Sequence, residues 1–271
     1  MSLADILVHI DSTPNCAARL EVALRLAQRH GASLTGLYVI SHQYYQPREQ
    51  GPVDAAAAAA REMFAERTAA AGVEADWHCV DWSVIGVSVA EIINHHAHYS
   101  DLVVLGQTTP GAAGKGLPSD LPERLVLGAG RPVLVVPYAG NFPTVGEKVL
   151  VAWKAGREST RAVNDALPLL KAARQVNLLA VNSSANYGDD SESLCANICQ
   201  HLTRHGIAVN ADKVLAATAS VGDTLLNRAY EEGFDLLVMG AYAHTPQGTL
   251  VLGAVAKHLL KDMTVPVLMS H

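Results

Sequence analysis

Along the chain, short runs of valine, leucine and isoleucine alternate with longer stretches in which apolar residues return every three or four positions. The short runs, among them Ile6-Leu-Val-His-Ile10 and Leu102-Val-Val-Leu105, lack the apolar–polar alternation of a half-exposed strand. Strands of that kind are covered on both faces, as in a parallel sheet between two layers of helices. The longer stretches carry Leu20, Leu24 and Ala27 at helical spacing, and Ser88 followed three residues later by Glu91 has the form of a capping box. The pattern predicts strands over 5–10, 33–40, 74–80, 101–105 and 132–136, and helices over 14–30, 53–71, 88–98 and 120–128. It then starts again, with strands over 148–153, 176–182, 208–215, 235–239 and 265–269 and helices over 158–173, 190–205, 223–232 and 254–262.

The second series copies the first. Asp101-Leu-Val-Val-Leu-Gly106 corresponds to Asp235-Leu-Leu-Val-Met-Gly240, and Pro132-Val-Leu-Val-Val136 to Pro266-Val-Leu-Met-Ser270, with equal separation in the two halves. Ile6-Leu-Val-His-Ile-Asp11 corresponds in turn to Val149-Leu-Val-Ala-Trp-Lys154. A repeat this long is a duplicated domain, not a solenoid of small units. The turn-rich stretch Tyr138-Ala-Gly-Asn-Phe-Pro-Thr-Val-Gly146 separates the copies and gives domains over 1–138 and 147–271. Right-handed crossovers make each copy a doubly wound, five-stranded parallel sheet of Rossmann-like order.

Composition narrows the function classes. Of the 271 residues, 49% are hydrophobic, enough for a sizeable core, and the length fits one large domain or two of average size. A net charge of −6 opposes nucleic-acid and anionic-membrane roles. Trp77, Trp82 and Trp153 are dispersed and carry no basic stripe with them, so they form no base-stacking platform. No apolar run is long enough to span a bilayer, and the N-terminus lacks the pattern of a signal peptide. Cys16, Cys79, Cys195 and Cys199 are scattered, as reduced thiols would be. The expectation is a cytoplasmic protein that binds neither nucleic acid nor membrane.

In sheets of this order, ligands sit beyond the carboxyl ends of the strands where the strand order reverses, between the first and fourth strands. Those ends are Asp11, followed by Ser12, and Gly106 in the first half, and Lys154 and Gly240 in the second. The fourth strand leads to a helix whose first amides lack intrahelical acceptors, a place for phosphate. In the second half this connection reads Gly240-Ala-Tyr-Ala243-His-Thr-Pro-Gln-Gly-Thr-Leu-Val-Leu-Gly253-Ala254-Val255. On these residues, and on the doubled strand pattern with its closing Pro-Val-Leu strands, essentially the whole chain resembles the universal stress protein family in its tandem two-domain form.

The resemblance implies an adenine nucleotide α-hydrolase-like fold. The family's nucleotide-binding members carry Gly, two residues, Gly, nine residues, then Gly-Ser or Gly-Thr. Gly240 and Gly253 match, while Ala243 replaces the middle glycine and Ala254 the hydroxyl residue. It implies a site for ATP or another adenine nucleotide in the second domain, with phosphates on Gly240 and on the helix start at Gly253, Ala254 and Val255, and the base against Val181. It also implies pairing through the last strand, as an intramolecular pseudo-dimer of the two domains or as a homodimer. If the loop needs positive φ at Ala243, the methyl group costs ~1–2 kcal/mol. The hydroxyl absent at Ala254 removes a donor worth about 1 kcal/mol net. Lys154 stands where binding members place Asp; turned to the helix start it favours phosphate, and otherwise it is a solvated strand-end lysine.

In the first half the same spacing from Gly106 reaches Thr109, Ser119 and Asp120. Ser119 reads as a helix N-cap, with Asp120 and Pro122 in the first turn. A carboxylate then stands where an anion would bind, at roughly 1 kcal/mol or more. Asp11, Ser12, Gly106 and Ser119 accordingly mark a vestigial site.

Other signals carry less. Gly111-Ala-Ala-Gly114-Lys115-Gly116 lacks the first glycine of a phosphate loop, where Thr109 stands, and the hydroxyl residue after its lysine. Cys195 and Cys199 share a helix face with Ile198 and Leu202, whereas His201 and His205 lie on another, so the four do not converge on a metal. His95, His96 and His98 crowd a helix C-terminus, where histidine suits the dipole. The run Ala55 to Ala60 is helix surface or interface. No nucleophile elbow, paired metal-binding carboxylates or nucleotidyl-transfer signature of the His-x-Gly-His or Ser-Gly-Gly-x-Asp-Ser kind is present. The expectation is a non-enzymatic stress-response binding or signalling module with one partly retained nucleotide site. The alternatives are an interaction protein with both sites vestigial, and a slow ATPase or nucleotidyl transferase.

Overall fold

Strands form where the apolar runs lie. In the first half these are β1 (Asp5–Ile10), β2 (Ser33–Ile40), β3 (Ala75–Asp81), β4 (Leu102–Gly106) and β5 (Val133–Val136). The helices between them are α1 (Cys16–His30), α2 (Gln50–Ala71), α3 (Val89–Ala97) and α4 (Leu121–Gly128). The second half gives β6 (Lys148–Ala152), α5 (Arg157–Ala172), β7 (Gln175–Ser183), α6 (Ser191–Arg204), β8 (Val209–Ala216), α7 (Val221–Glu232) and β9 (Leu236–Gly240). It ends with β10 (Tyr242–His244), β11 (Leu250–Leu252), α8 (Ala254–Asp262) and β12 (Val267–Ser270). The computed structural model describes residues 3–40, 50–81, 87–108, 118–183, 191–216, 220–244 and 250–270. Thr109, Trp82 and the Gly111–Gly116 stretch lie outside them.

The chain divides into one unit reaching Asn141 and another starting at Phe142. In the first, the strand order is β3-β2-β1-β4-β5, all parallel. In the second it is β8-β7-β6-β9-β12, again all parallel. Both orders reverse between the first and fourth strands of the unit, as doubly wound sheets do. The central strands are buried along nearly their whole length, with Val8, Ile10, Val103 and Val104 fully covered. β3 differs, alternating half-buried and exposed residues, because it is the edge strand of its unit and helices cover it incompletely.

Local signals set the helix ends. The Ser88 hydroxyl accepts from the Glu91 amide while the Glu91 carboxylate accepts from the Ser88 amide, completing the capping box. Gly31 and Gly233 end α1 and α7 at φ of 64° and 67°, where a side chain would be strained. The N-cap expected at Ser119 is not found there. Asp120 is the N-cap of α4, and its carboxylate turns to Arg124 Nε at 2.8 Å instead of to the helix amides. The Ser119 carbonyl accepts from the Thr108 hydroxyl at 2.9 Å. An arginine one turn on outcompetes the capping bond.

In the second unit, α7 and α8 are clasped by a histidine. His258 Nε2 is 2.8 Å from Asp223 Oδ1 and its Nδ1 is 3.5 Å from Asp262 Oδ2. The close approach requires Gly222, since a Cβ there would stand 2.2 Å from His258 Cδ2. Gly222→Ala is therefore expected to displace the ring and lower stability by about 1–2 kcal/mol in urea unfolding. An unchanged midpoint would show that the clasp adds nothing.

Candidate functional site

The crevice of the first unit lies beyond β1 and β4, paired through Ile6–Leu102 and Val8–Val104. Chain leaving β1 turns sharply at Asp11, whose Oδ1 accepts from the Thr13 amide at 2.9 Å and from the Thr13 hydroxyl. Its other oxygen, Oδ2, lies 2.9 Å from Arg19 Nη2 and 3.8 Å from His9 Nδ1. Arg19 is only 3% exposed and His9 2%. The Arg19 contact is chiefly coulombic, since neither Nη2 nor Nε has an acceptor well in line. Gly106, at the end of β4, leaves the space in which the guanidinium lies: a Cβ on it would stand 2.5 Å from Arg19 Nη1. Ser12 shares a 3.0 Å hydrogen bond with the hydroxyl of Tyr38, which pairs with Ile10 at the end of β1.

Burial alone would push the Asp11 carboxyl up, but the Arg19 guanidinium, His9 and the Thr13 bonds together hold it below the usual carboxylate range. Burial, reinforced by Arg19 and opposed by Asp11, pushes His9 down to about 4. His9 is thus neutral in the folded protein, while the unfolded chain takes up a proton near pH 6.5. Stability is full above pH 6.5 and falls as the pH drops from there toward 4, by about 2 kcal/mol at pH 5. A His9→Ala chain, which has the residue found at Ala152, should show a flatter acid limb between pH 7 and 5. Equal acid limbs in the two proteins would remove His9 as the cause.

The crevice of the second unit is built differently. Ala152, Lys154 and Ala162 hold the places of His9, Asp11 and Arg19, so the buried charge cluster has no counterpart. Lys154 is exposed. Gly240 receives helix backbone: a Cβ on it would stand 2.6 Å from the Glu158 carbonyl carbon and 2.7 Å from the Ser159 amide nitrogen. The first turn of α5 therefore rests on the end of β9. The Glu158 carboxylate folds back over Gly156, with Oε2 3.3 Å from where a Cβ would lie.

Between β9 and α8 the sequence pattern points to an open loop, and the chain instead forms an antiparallel ribbon. β10 pairs with β11 through Tyr242–Leu252, Ala243–Val251 and His244–Leu250. The positive φ considered at Ala243 is not needed, since among the described residues only glycines take it and Ala243 is extended. Gly253 follows the ribbon as the N-cap of α8, at φ −63°, ψ 152°, and its amide donates to the Ala241 carbonyl at 2.9 Å. No side chain caps α8 and no acidic residue stands in its first turn. Ala254 is exposed and Val255 half-buried. Val181 lies on β7, half-buried and paired with Val214.

The structure brings Gly240 and Gly253 near one another through Ala241, and Lys154 follows two residues after β6, the strand that pairs with β9. Val181 is one strand further out. Sequence reasoning missed Arg19, His9, Glu158 and the ribbon. Arg19 had a signal: it falls with Cys16, Leu20 and Ala23 on the buried stripe of α1, where a charge needs a partner. Cys195, Ile198 and Leu202 are buried on α6, while the His201 and His205 rings meet edge to face with centroids 4.7 Å apart. Among the described residues no group of three or more His, Cys, Asp or Glu could hold a metal ion. No described helix is long and apolar enough to cross a membrane.

Solved structures similar over almost the whole chain include a universal stress protein from Archaeoglobus fulgidus DSM 4304, at 16% identity and a TM-score of 0.73, covering 98% of this chain and 97% of that one. A putative universal stress protein from Pseudomonas aeruginosa UCBPP-PA14 follows at 17% identity and 0.65, covering 99% and 93%. At such identities the likeness is one of fold. No curated protein sequence matches the chain significantly. The model of the universal stress protein family, however, matches it twice, over residues 4–137 and again over 146–271. Two copies in succession along the chain, each with its own reversal of strand order, make this chain a tandem member of the universal stress protein family.

Proposed function

We propose that the chain is a cytoplasmic stress-response binding module, without chemistry of its own, whose second domain alone takes an adenine nucleotide such as ATP. The contrast between the two helix starts carries the reading. α8 begins at Gly253 with no capping side chain and no acid in its first turn, so its amides face an approaching anion unopposed. α4 begins with Asp120 and has Glu123 in its first turn, which repel one. Lys154, exposed at the neighbouring strand end, adds a mobile positive charge within the second unit.

Calorimetric titration with ATP and Mg²⁺ tests this. Gly253→Asp is the informative variant: at its φ, and with the nearest atom 3.6 Å from a new Cβ, aspartate is accommodated and caps the helix. The wild-type chain should bind and the variant at least about tenfold more weakly. Absence of heat from the wild type at millimolar ATP would remove the nucleotide.

One observation favours a second reading, an interaction protein with both sites vestigial. The β10–β11 ribbon stands where an open phosphate loop was expected, and the α5 turn already occupies the space over Gly240. On this reading calorimetry is silent and light scattering returns dimers or larger assemblies.

A further inference from the structure

The first unit contains a group that neither the fold nor the proposed nucleotide site uses: a fully covered arginine whose head lies in the crevice. We propose that Arg19 is a built-in ligand of the first domain, its guanidinium seated between the ends of β1 and β4 on Asp11, and that it fills a guanidinium-shaped seat in this crevice. The proposal does not depend on whether the second domain binds nucleotide.

Several independent features converge on it. Asp11, the acidic group that marks the strand end, has both oxygens engaged: Oδ1 by Thr13, and Oδ2 by Arg19 at 2.9 Å. Gly106 is the residue that leaves room for the guanidinium, because any Cβ would meet Nη1 at 2.5 Å. The crevice end of β4 is therefore shaped around a side chain of the same domain. His9, beneath the pair, has its Nε2 buried without a hydrogen-bond partner, and Arg19 Nε is likewise orphaned. A surface-seeking arginine would turn its Nε–H to water; here it remains in the interior, held by charge and shape.

The second domain shows that the arrangement is dispensable to the fold. All three positions change together there, to Ala152, Lys154 and Ala162, and the β6–β9 pairing keeps the geometry of β1–β4. Where β4 meets a guanidinium, β9 meets helix backbone. A simple packing requirement at the end of the fourth strand would not call for a charged occupant in one copy. A guanidinium is flat and delocalised, which an ammonium is not, so the seat selects arginine over lysine.

Removing the occupant should leave a seat that a free cation of the same shape can fill. In an Arg19→Ala chain, methylguanidinium at tens of millimolar should raise the melting temperature by at least about 3 °C relative to equal concentrations of methylammonium or sodium chloride. Wild type should show no such difference. An Asp11→Asn/Arg19→Ala chain, which lacks the counter-charge, should not respond either. If Arg19→Ala does not fold unaided, its refolding yield becomes the readout, and methylguanidinium should restore it where methylammonium does not. Equal responses to the two cations, or a response that survives loss of the Asp11 charge, would overturn the proposal and leave Arg19 an ordinary ion-pair partner.

Discussion

An Asp11→Asn chain is expected to lose about 3–5 kcal/mol of stability in urea unfolding, although asparagine matches aspartate in size. The Thr13 amide can still donate to the side-chain oxygen, so the turn after β1 is preserved. What disappears is the charge opposite Arg19, which lies almost wholly out of water with two of its nitrogens lacking aligned acceptors. A buried cation without its partner carries most of its desolvation penalty uncompensated. His9 cannot replace the lost charge, since it is neutral and offers no anionic form. Removing both charges together, as Asp11→Asn/Arg19→Met, should restore most of the loss, because an ion pair exchanged for apolar volume is often near neutral. A single-variant loss under about 1 kcal/mol, or additive losses in the double variant, would mean that the pair is solvated in a way this geometry does not allow.

Gly240→Ala is expected to cost about 3 kcal/mol or more, and the nucleotide is not the reason. Its Cβ would lie 2.6–2.7 Å from two backbone atoms of α5, which cannot swing aside as a side-chain tip can. The helix must move off the strand end, opening the core at Val163 and Ala166. Gly253→Ala meets nothing closer than 3.6 Å and should cost within about 1 kcal/mol, the penalty of a poorer N-cap. Urea midpoints of the two variants check the contrast. Equal midpoints would show that α5 does not rest on β9 as described.

These two glycines explain what the sequence could and could not reveal. Both match the spacing of the family's nucleotide-binding members, and spacing cannot distinguish a glycine that admits a phosphate from one that admits a helix. At Gly240 the place of a Cβ is taken by the α5 backbone, and only the location of that helix shows it. The fold was far more legible. Fully covered strands such as β4 and β9 must be continuous apolar runs, and the equal spacing of β4–β5 and β9–β12 along the chain exposed the duplication directly. Helix ends were legible where one local bond decides them, as at Ser88, and misplaced by one residue where a side chain had a better partner, as Asp120 has in Arg124. The ribbon at 242–252 was missed because its two strands are only three residues each, too short for a periodic signal. Arg19 was missed for another reason: its partner is adjacent in space through the turn after β1, and a charge on an apolar stripe was outweighed by the leucines around it.

The central claim is an asymmetry, with one crevice filled by the chain's own arginine and the other presenting an unopposed helix start. Photolabelling with 8-azido-ATP followed by peptide mapping reads it directly. The account predicts label on peptides from 146–271 alone, suppressed by excess ATP and weakened by Gly253→Asp. ATP-sensitive label on peptides from 4–137 would contradict it, and so would equal labelling of the two halves.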